Sequence, residues 1–173
     1  TNAALVRLGR VLPGFDGEAC LLKAVAVNTL YATQVLAITR MARYIESVLA
    51  STDLKATGPE LVERIASLPS DKPGTRRRHV SFAAKFCHFY VDQERFPIYD
   101  EAARNVIELH LGKKEYIVDA DHPYPAFCEN LKRLRERTDL RNNGRELDRY
   151  LWITGMYMRW LKERNTKNPR VNA

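Results

Sequence analysis

IASLPSDKPGTRRRHVSFAAKFCHFYVDQERFPIYDEAARNVIELHLG, residues 65–112, is the stretch that decides the fold. Its first apolar helix ends in Leu68-Pro69, and a loop rich in proline and glycine follows. Thr75 is a suitable N-cap, so we expect a helix from this residue to about Val91. The pattern predicts two helices joined by a tight hairpin.

The second half of this stretch predicts a third helix. A short loop is stopped by Pro97, and Asp100 then stands where an N-cap is needed. Gly112 supplies the left-handed turn that ends many helices. We therefore expect a helix capped by Asp100 and ending at Gly112.

Helical periodicity also dominates the rest of the chain. The segment Glu18–Ala50 has no Gly or Pro and is apolar on nearly every face at first, which predicts a central, buried helix broken near Asn28-Thr29. No strand pattern is longer than Tyr116-Ile117-Val118. The sequence predicts an all-α fold, with further helices at about 60–67, 126–137 and 144–164.

Length and composition favour one domain spanning residues 1–173. No run of 18 or more apolar residues occurs, so we expect no membrane span. The segment from Thr1 to Pro13 lacks a secretory signal, and three dispersed cysteines argue against a disulfide framework. We therefore expect a cytoplasmic protein.

Positive charge is concentrated in the second part of the chain. The formal net charge is +7, and residues 71–173 carry 21 of the 28 Lys and Arg side chains. Such an asymmetry favours a face that binds a polyanion, with nucleic acid as the leading candidate.

The stretch 65–112 resembles the core of the helix-hairpin-helix DNA glycosylase superfamily, which includes endonuclease III and 8-oxoguanine glycosylase. Leu68-Pro69 matches the entry to the family's hairpin, and Phe96-Pro97-Ile98-Tyr99-Asp100 matches its step into the helix of the catalytic aspartate. The resemblance implies a two-lobed fold with the hairpin at about 60–91 and the catalytic aspartate helix at 100–112. It also implies cleavage of the N-glycosidic bond of a base flipped out of duplex DNA.

The hairpin departs from the family pattern Leu-Pro-Gly-x-Gly, because residues 68–74 contain an insertion and one glycine. Its function in the family is to present backbone N–H groups to a DNA phosphate. We expect DNA contacts from Lys72, Gly74, Thr75, Arg76, Arg77 and Arg78. A solvated basic turn is the alternative.

Lys85 is the expected amine nucleophile, although the family's lysine position is occupied here by Ser81 and Phe82. Ser81 and Lys85 lie one turn apart on one helix face. The neighbours of Lys85 are apolar, which would lower the pKa of its amine and favour nucleophilic attack. The alternatives are that Lys85 contacts a phosphate or pairs with an acid.

Asp100 is the expected catalytic carboxylate, matching the family's aspartate. There it can stabilise the positive charge that develops on the sugar as the base departs. An N-cap without catalytic function is the alternative.

Four further residues are candidates for contacts with DNA or with the flipped base. Asn28 and Tyr31 match the region where the family inserts side chains into DNA, and Tyr31 is equally suited to the core. Ser81 and His88 could line the base pocket, with a partly buried histidine as the alternative for His88. The aromatic residues of the last helix, Trp152, Tyr157 and Trp160, are spaced as core residues first.

The resemblance therefore implies a DNA glycosylase, with strand cleavage as a second activity if Lys85 forms a Schiff base. We expect a monomer that binds double-stranded DNA carrying a damaged or modified base. With three scattered cysteines, no iron–sulfur cluster and no other cofactor or metal is expected. The alternatives are an inactive helix-hairpin-helix DNA-binding module and a helical protein-interaction domain.

Overall fold

The computed structural model describes residues 2–69, 78–138 and 144–167. These residues form helices joined by loops, and no strand occurs within them, which confirms the all-α prediction. The helices are α1 (Asn2–Val11), α2 (Gly17–Leu30), α3 (Ile38–Ala50), α4 (Glu60–Ala66), α5 (Val80–Tyr90), α6 (Glu101–Leu111), α7 (Pro123–Thr138) and α8 (Gly144–Lys167).

Local capping signals set several of the helix ends. The Asp16 carboxylate caps α2 by accepting the Ala19 N–H at 2.9 Å. Gly112 ends α6 with a φ of 80°, as the sequence predicts. Pro123 begins α7 at a position where a missing N–H costs nothing, three residues before the expected start.

The start of α5 differs from the prediction. The helix begins at Val80 and not at Thr75, which lies outside the described residues. The reason is a connection to α4, because the His79 N–H donates to the Ala66 carbonyl at 2.9 Å. The chain therefore passes across the end of α4 before it turns into α5.

The central helix is α5, not the predicted Glu18–Ala50 segment. Each residue from Phe82 to Phe89 is buried, and α5 contacts α1, α2, α4 and α7. As predicted, the long segment is broken into two helices, α2 and α3, with a connector between them, but Leu22 and Val25 of α2 are 44% and 41% exposed. A helix that is apolar all round needs partners on every face, and α5 has them.

The last helix, α8, packs along α6. Leu147 and Leu151 are buried in this contact, and Gly155 lies directly against Ala102. The aromatic residues expected in the core lie on the other side, since Trp152, Tyr157 and Trp160 are each at least half exposed. Their assignment to the core is therefore wrong.

No helix in the described part of the chain is both long and apolar enough to span a membrane.

The close contact between α6 and α8 predicts that replacing Gly155 by alanine lowers the stability of the fold. A Cβ at Gly155 would lie 2.6 Å from the Ala102 Cβ and 2.9 Å from the Ala102 carbonyl oxygen. In an open helix Gly→Ala stabilises by about 1 kcal/mol. Here we expect Gly155→Ala to destabilise the fold by about 1–3 kcal/mol through overpacking.

Urea unfolding measures this difference, with Met156→Ala as the control on the same helix. Met156 is 41% exposed, so its substitution should change the free energy of unfolding by no more than about 0.5 kcal/mol. A stabilised Gly155→Ala protein would contradict the close packing of α8 on α6.

Candidate active site

Asp100 lies at the N-terminus of α6, as the sequence predicts. Its Oδ1 accepts the Ala103 N–H at 2.8 Å, so the carboxylate caps the helix. Asp100 also lines a cleft of about 570 Å³ together with Tyr31, Asp148 and Trp152. The cap leaves lone pairs of the carboxylate available on the cleft side.

The Lys85 side chain is buried among the apolar residues of α5, with 4% of its surface exposed. Its Nζ donates to the Ser81 Oγ at 2.7 Å and lies 3.4 Å from the Tyr99 carbonyl oxygen. Burial lowers the pKa of the Lys85 amine, while the negative charges of Asp100 and Asp148 oppose this effect. Within the described residues no carboxylate approaches closely enough to form an ion pair with it.

Tyr31 separates this amine from the cleft. Its ring centroid lies 5.3 Å from the Lys85 Nζ, and the same side chain lines the cleft, whereas Lys85 does not. The Tyr31 hydroxyl donates to the Asn2 Oδ1 at 2.7 Å, which ties the end of α2 to the start of α1. Burial raises the pKa of Tyr31 to about 12, with further contributions from Asp148 and Asp100.

Asp148 is the functional candidate that sequence reasoning missed. It lies in the first turns of α8 and borders the cleft and both neighbouring cavities. Burial raises the pKa of the Asp148 carboxyl to about 7; the Asp100 charge adds to this rise and Lys85 opposes it. Acidic residues are common near helix N-termini, so the sequence gives no reason to single out Asp148. Its carboxyl loses water only because α8 packs on α6.

His88 lies one turn after Lys85 on α5 but faces the neighbouring cavities. It is buried, and its Nδ1 lies 3.0 Å from the Phe96 carbonyl oxygen. Burial lowers the pKa of His88, although this hydrogen bond opposes the effect. The arrangement corresponds to a buried histidine held by the backbone.

Asn28 organises the connector between α2 and α3. Its Nδ2 donates to the Val35 carbonyl, and its Oδ1 accepts the Val35 N–H at 2.9 Å and the Thr33 hydroxyl. The connector also contains Ala32 and Gln34 at positive φ. The side chain of Asn28 thus stabilises a strained turn next to Tyr31 and does not line the cleft.

Of the residues expected to contact phosphates, the structure describes only Arg78. Its guanidinium pairs with the buried Glu63 and donates to the carbonyls of Ala120 and Asp121. These contacts connect α4 to the loop before α7. The other expected contacts, Lys72, Gly74, Thr75, Arg76 and Arg77, lie outside the described residues.

A second buried lysine, Lys23, was not identified from the sequence. Its Nζ donates to the Gly14 carbonyl at 2.6 Å and lies over the Phe15 ring. It does not line the cleft. Across the described ranges, no group of three or more His, Cys, Asp or Glu side chains is arranged to hold a metal ion.

Comparison with known proteins places the chain in a family. The family model HI_0787_N, an N-terminal domain, matches residues 3–95, more than half of the chain. The chain belongs to this family. The matched region includes Tyr31, Ser81 and Lys85, and it ends before Asp100.

A Haemophilus influenzae protein described as uncharacterized is 30% identical over 135 residues, which is 74% of this chain and 62% of that relative. The chain therefore spans less than two thirds of the relative's length. No solved structure matches the chain. Neither match is named for a glycosylase, so the chemistry has to be argued from the site.

The surroundings of Asp148 predict a pH-dependent effect on stability. Its pKa is about 7 in the folded protein and about 3.9 in an unfolded chain. The contribution of this carboxyl to the free energy of unfolding is thus fully present below pH about 3.9. It is lost as the pH rises through about 7. We expect Asp148→Asn to be more stable than wild type by about 4 kcal/mol at pH 8, since a pKa difference of about three units corresponds to that free energy, and about equal to it at pH 4.

Denaturant unfolding at the two pH values tests this expectation. Asp92→Asn is the control, and its effect on stability should depend on pH in the opposite direction. Hydrogen bonds from Arg95 and Glu94 outweigh desolvation and lower the pKa of Asp92. Its substitution should cost more stability at pH 8 than at pH 4. A pH-independent effect of Asp148→Asn would show that the carboxyl is not desolvated.

Proposed function

We propose that the chain is a DNA N-glycosylase that attacks the sugar C1′ of a flipped nucleotide with the Lys85 amine. The observation that carries the proposal is the buried Lys85 amine within the electrostatic field of two carboxyl groups, Asp100 and Asp148, that border one cleft. Desolvation favours the neutral, nucleophilic form of an amine. The resemblance of residues 65–112 to the helix-hairpin-helix glycosylases supports the same reaction.

The two carboxyl groups suit different steps. Asp100 is the capping carboxylate and stabilises positive charge as the C1′–N bond breaks. Asp148, with a pKa of about 7, holds a proton that it can transfer to the departing base. A pair of acids in contrasting surroundings is a recurrent way to divide such functions.

The protons and electrons of this reaction balance within the site. The electrons of the C1′–N bond leave with the base, which takes the Asp148 proton. The nitrogen lone pair of Lys85 forms the new bond to C1′, and the amine returns one proton to Asp148. The second amine proton passes to the ring oxygen as the C1′–O4′ bond opens, which leaves an imine between Lys85 and the sugar.

Attack requires Tyr31 to move. Its ring covers the amine, and its hydroxyl is held by Asn2. Entry of a nucleotide into the cleft of about 570 Å³ can displace this ring, because Tyr31 is part of the cleft wall. Displacement would also remove a cation–π contact that favours the protonated amine.

Asp100→Asn tests the role of the carboxylate. Asparagine caps a helix about as well as aspartate, so the fold and DNA binding should persist. It cannot balance positive charge, and we expect base release to fall by about 10²- to 10³-fold. The assay is release of free base from a panel of duplexes with damaged or modified bases. Undiminished base release by Asp100→Asn would show that Asp100 is not catalytic. If wild type binds DNA but releases no base from any duplex of the panel, the protein is an inactive binding module.

Lys85→Met tests the nucleophile. Borohydride reduces an imine to a stable protein–DNA adduct, which wild type should form and Lys85→Met should not. Lys23→Met is the matched control, because it also removes a buried amine, but one that donates to the Gly14 carbonyl and lies over Phe15 and not behind the Tyr31 ring. Its adduct should form as in wild type. Base release without trapping in wild type would assign the reaction to water, and trapping in Lys85→Met would identify a different amine.

A further inference from the structure

A second cavity, of about 810 Å³, continues from the cleft between α1 and α8. We call it the α1–α8 groove. It shares Asn2, Asp148 and Trp152 with the cleft, so the two spaces meet along these residues. Its other walls include Arg7 and Arg10 of α1 and Arg149 of α8.

The three arginines of the groove are exposed, and none of them has a partner among the described residues. No carboxylate or hydrogen-bond acceptor within the described residues engages Arg7, Arg10 or Arg149. Elsewhere the chain pairs many of its arginines with acids, as for Arg95 with Asp92 and Arg133 with Glu129. Unpaired guanidinium groups gathered in a concave surface create a positive potential that attracts anions.

Helical spacing directs these groups into the groove. Arg7 and Arg10 are three residues apart on α1, and Arg149 and Trp152 are three residues apart on α8, so each pair shares a helix face. The one acid of the groove is Asp148, at its junction with the cleft. Cationic side chains therefore outnumber the acid three to one along this wall.

Trp152 adds a second type of contact. Its indole is 54% exposed at the junction of the two cavities. An exposed indole offers little to a simple anion, but it is a good stacking surface for a nucleobase. Phosphate-binding cations beside an exposed aromatic side chain are the combination by which proteins hold single-stranded nucleic acid.

We propose that the α1–α8 groove binds a single DNA strand, with Arg7, Arg10 and Arg149 on its phosphates and Trp152 stacked on a base. The groove opens into the cleft, so this strand is the one that flanks the extruded nucleotide. That placement rests on the proposed function, whereas the binding itself does not. The site lies on α1 and α8 and is separate from the hairpin residues expected to contact DNA.

The chain contains two tryptophans, which makes the groove accessible to fluorescence. Trp160 stacks on Tyr157 away from the groove, so Trp160→Phe leaves Trp152 as the sole reporter. Titration of this variant with a single-stranded thymidine octamer should quench its fluorescence to saturation. Inorganic phosphate is the comparison for a simple anion, and it should neither quench nor compete at equal concentration of phosphate groups.

Substitutions in the same background test the arginines. Arg7→Ala with Arg10→Ala should weaken octamer binding by about 10-fold or more at low salt, and it should reduce the slope of log K against log salt by about 0.7 for each lost contact. Arg133→Ala removes a charge outside the groove and should change neither quantity. In unmodified background, Trp152→Ala should weaken binding of a labelled octamer by about 10-fold.

The outcomes separate this inference from the proposed glycosylase activity. Octamer binding that is unchanged in Arg7→Ala with Arg10→Ala, absent from wild type, or displaced by phosphate alone overturns the inference. Base release by wild type together with any of these results leaves the proposed function standing. Arginine-dependent quenching of Trp152 without base release from any substrate supports the groove and overturns the glycosylase.

Discussion

Desolvation of the Lys85 amine is the constraint on which the proposed chemistry of the cleft depends. The amine lies on α5, the helix with neighbours on most of its surface, and so water reaches very little of it. The Ser81 hydroxyl and the carbonyls of Ser81 and Tyr99 satisfy its N–H groups, but no carboxylate in the described ranges forms an ion pair with it. A buried ammonium without a close carboxylate is costly, and loss of its proton relieves that cost. The stability of α5 and the proposed reactivity of Lys85 therefore have one origin in the apolar packing around this helix.

The two carboxyl groups of the cleft differ because the chain presents them in different ways. Asp100 stands at the start of α6, where its carboxylate accepts the Ala103 N–H. Asp148 lies on the flank of α8, where packing against α6 removes water and no backbone N–H of the described residues replaces it. The Asp100 charge adds to the rise in the pKa of Asp148. Helix placement thus gives one cavity a carboxylate that caps a helix and a second carboxyl group whose pKa burial raises to about 7.

Local signals made much of this predictable from sequence. The cap at Asp100, the positive φ at Gly112 and the burial of Lys85 follow from neighbouring residues, and the structure has all three. The features that were not predicted depend on contacts between distant segments. The pKa of Asp148 is raised only because α8 packs on α6. The helix α5 begins at Val80, five residues after the predicted start, because the His79 N–H donates to the Ala66 carbonyl. The apolar side chains of α8 do not show by themselves which of them another helix will bury. Trp152 was therefore predicted in the core, although it lies at the cleft.

The Tyr31 ring gives the resting protein a form of chemical protection. A neutral amine reacts with any small aldehyde that reaches it, and such adducts would inactivate the site. Here the ring lies over the amine, the Asn2 hydrogen bond holds the phenol in place, and the turn at Ala32 and Gln34 fixes the backbone behind it. A small electrophile makes too few contacts to displace a side chain restrained at both ends, whereas a large ligand that fills the cleft can do so. In the proposed reaction, selectivity for bulky substrates would thus arise from the Tyr31 ring that covers the Lys85 amine, before any recognition of the ligand itself.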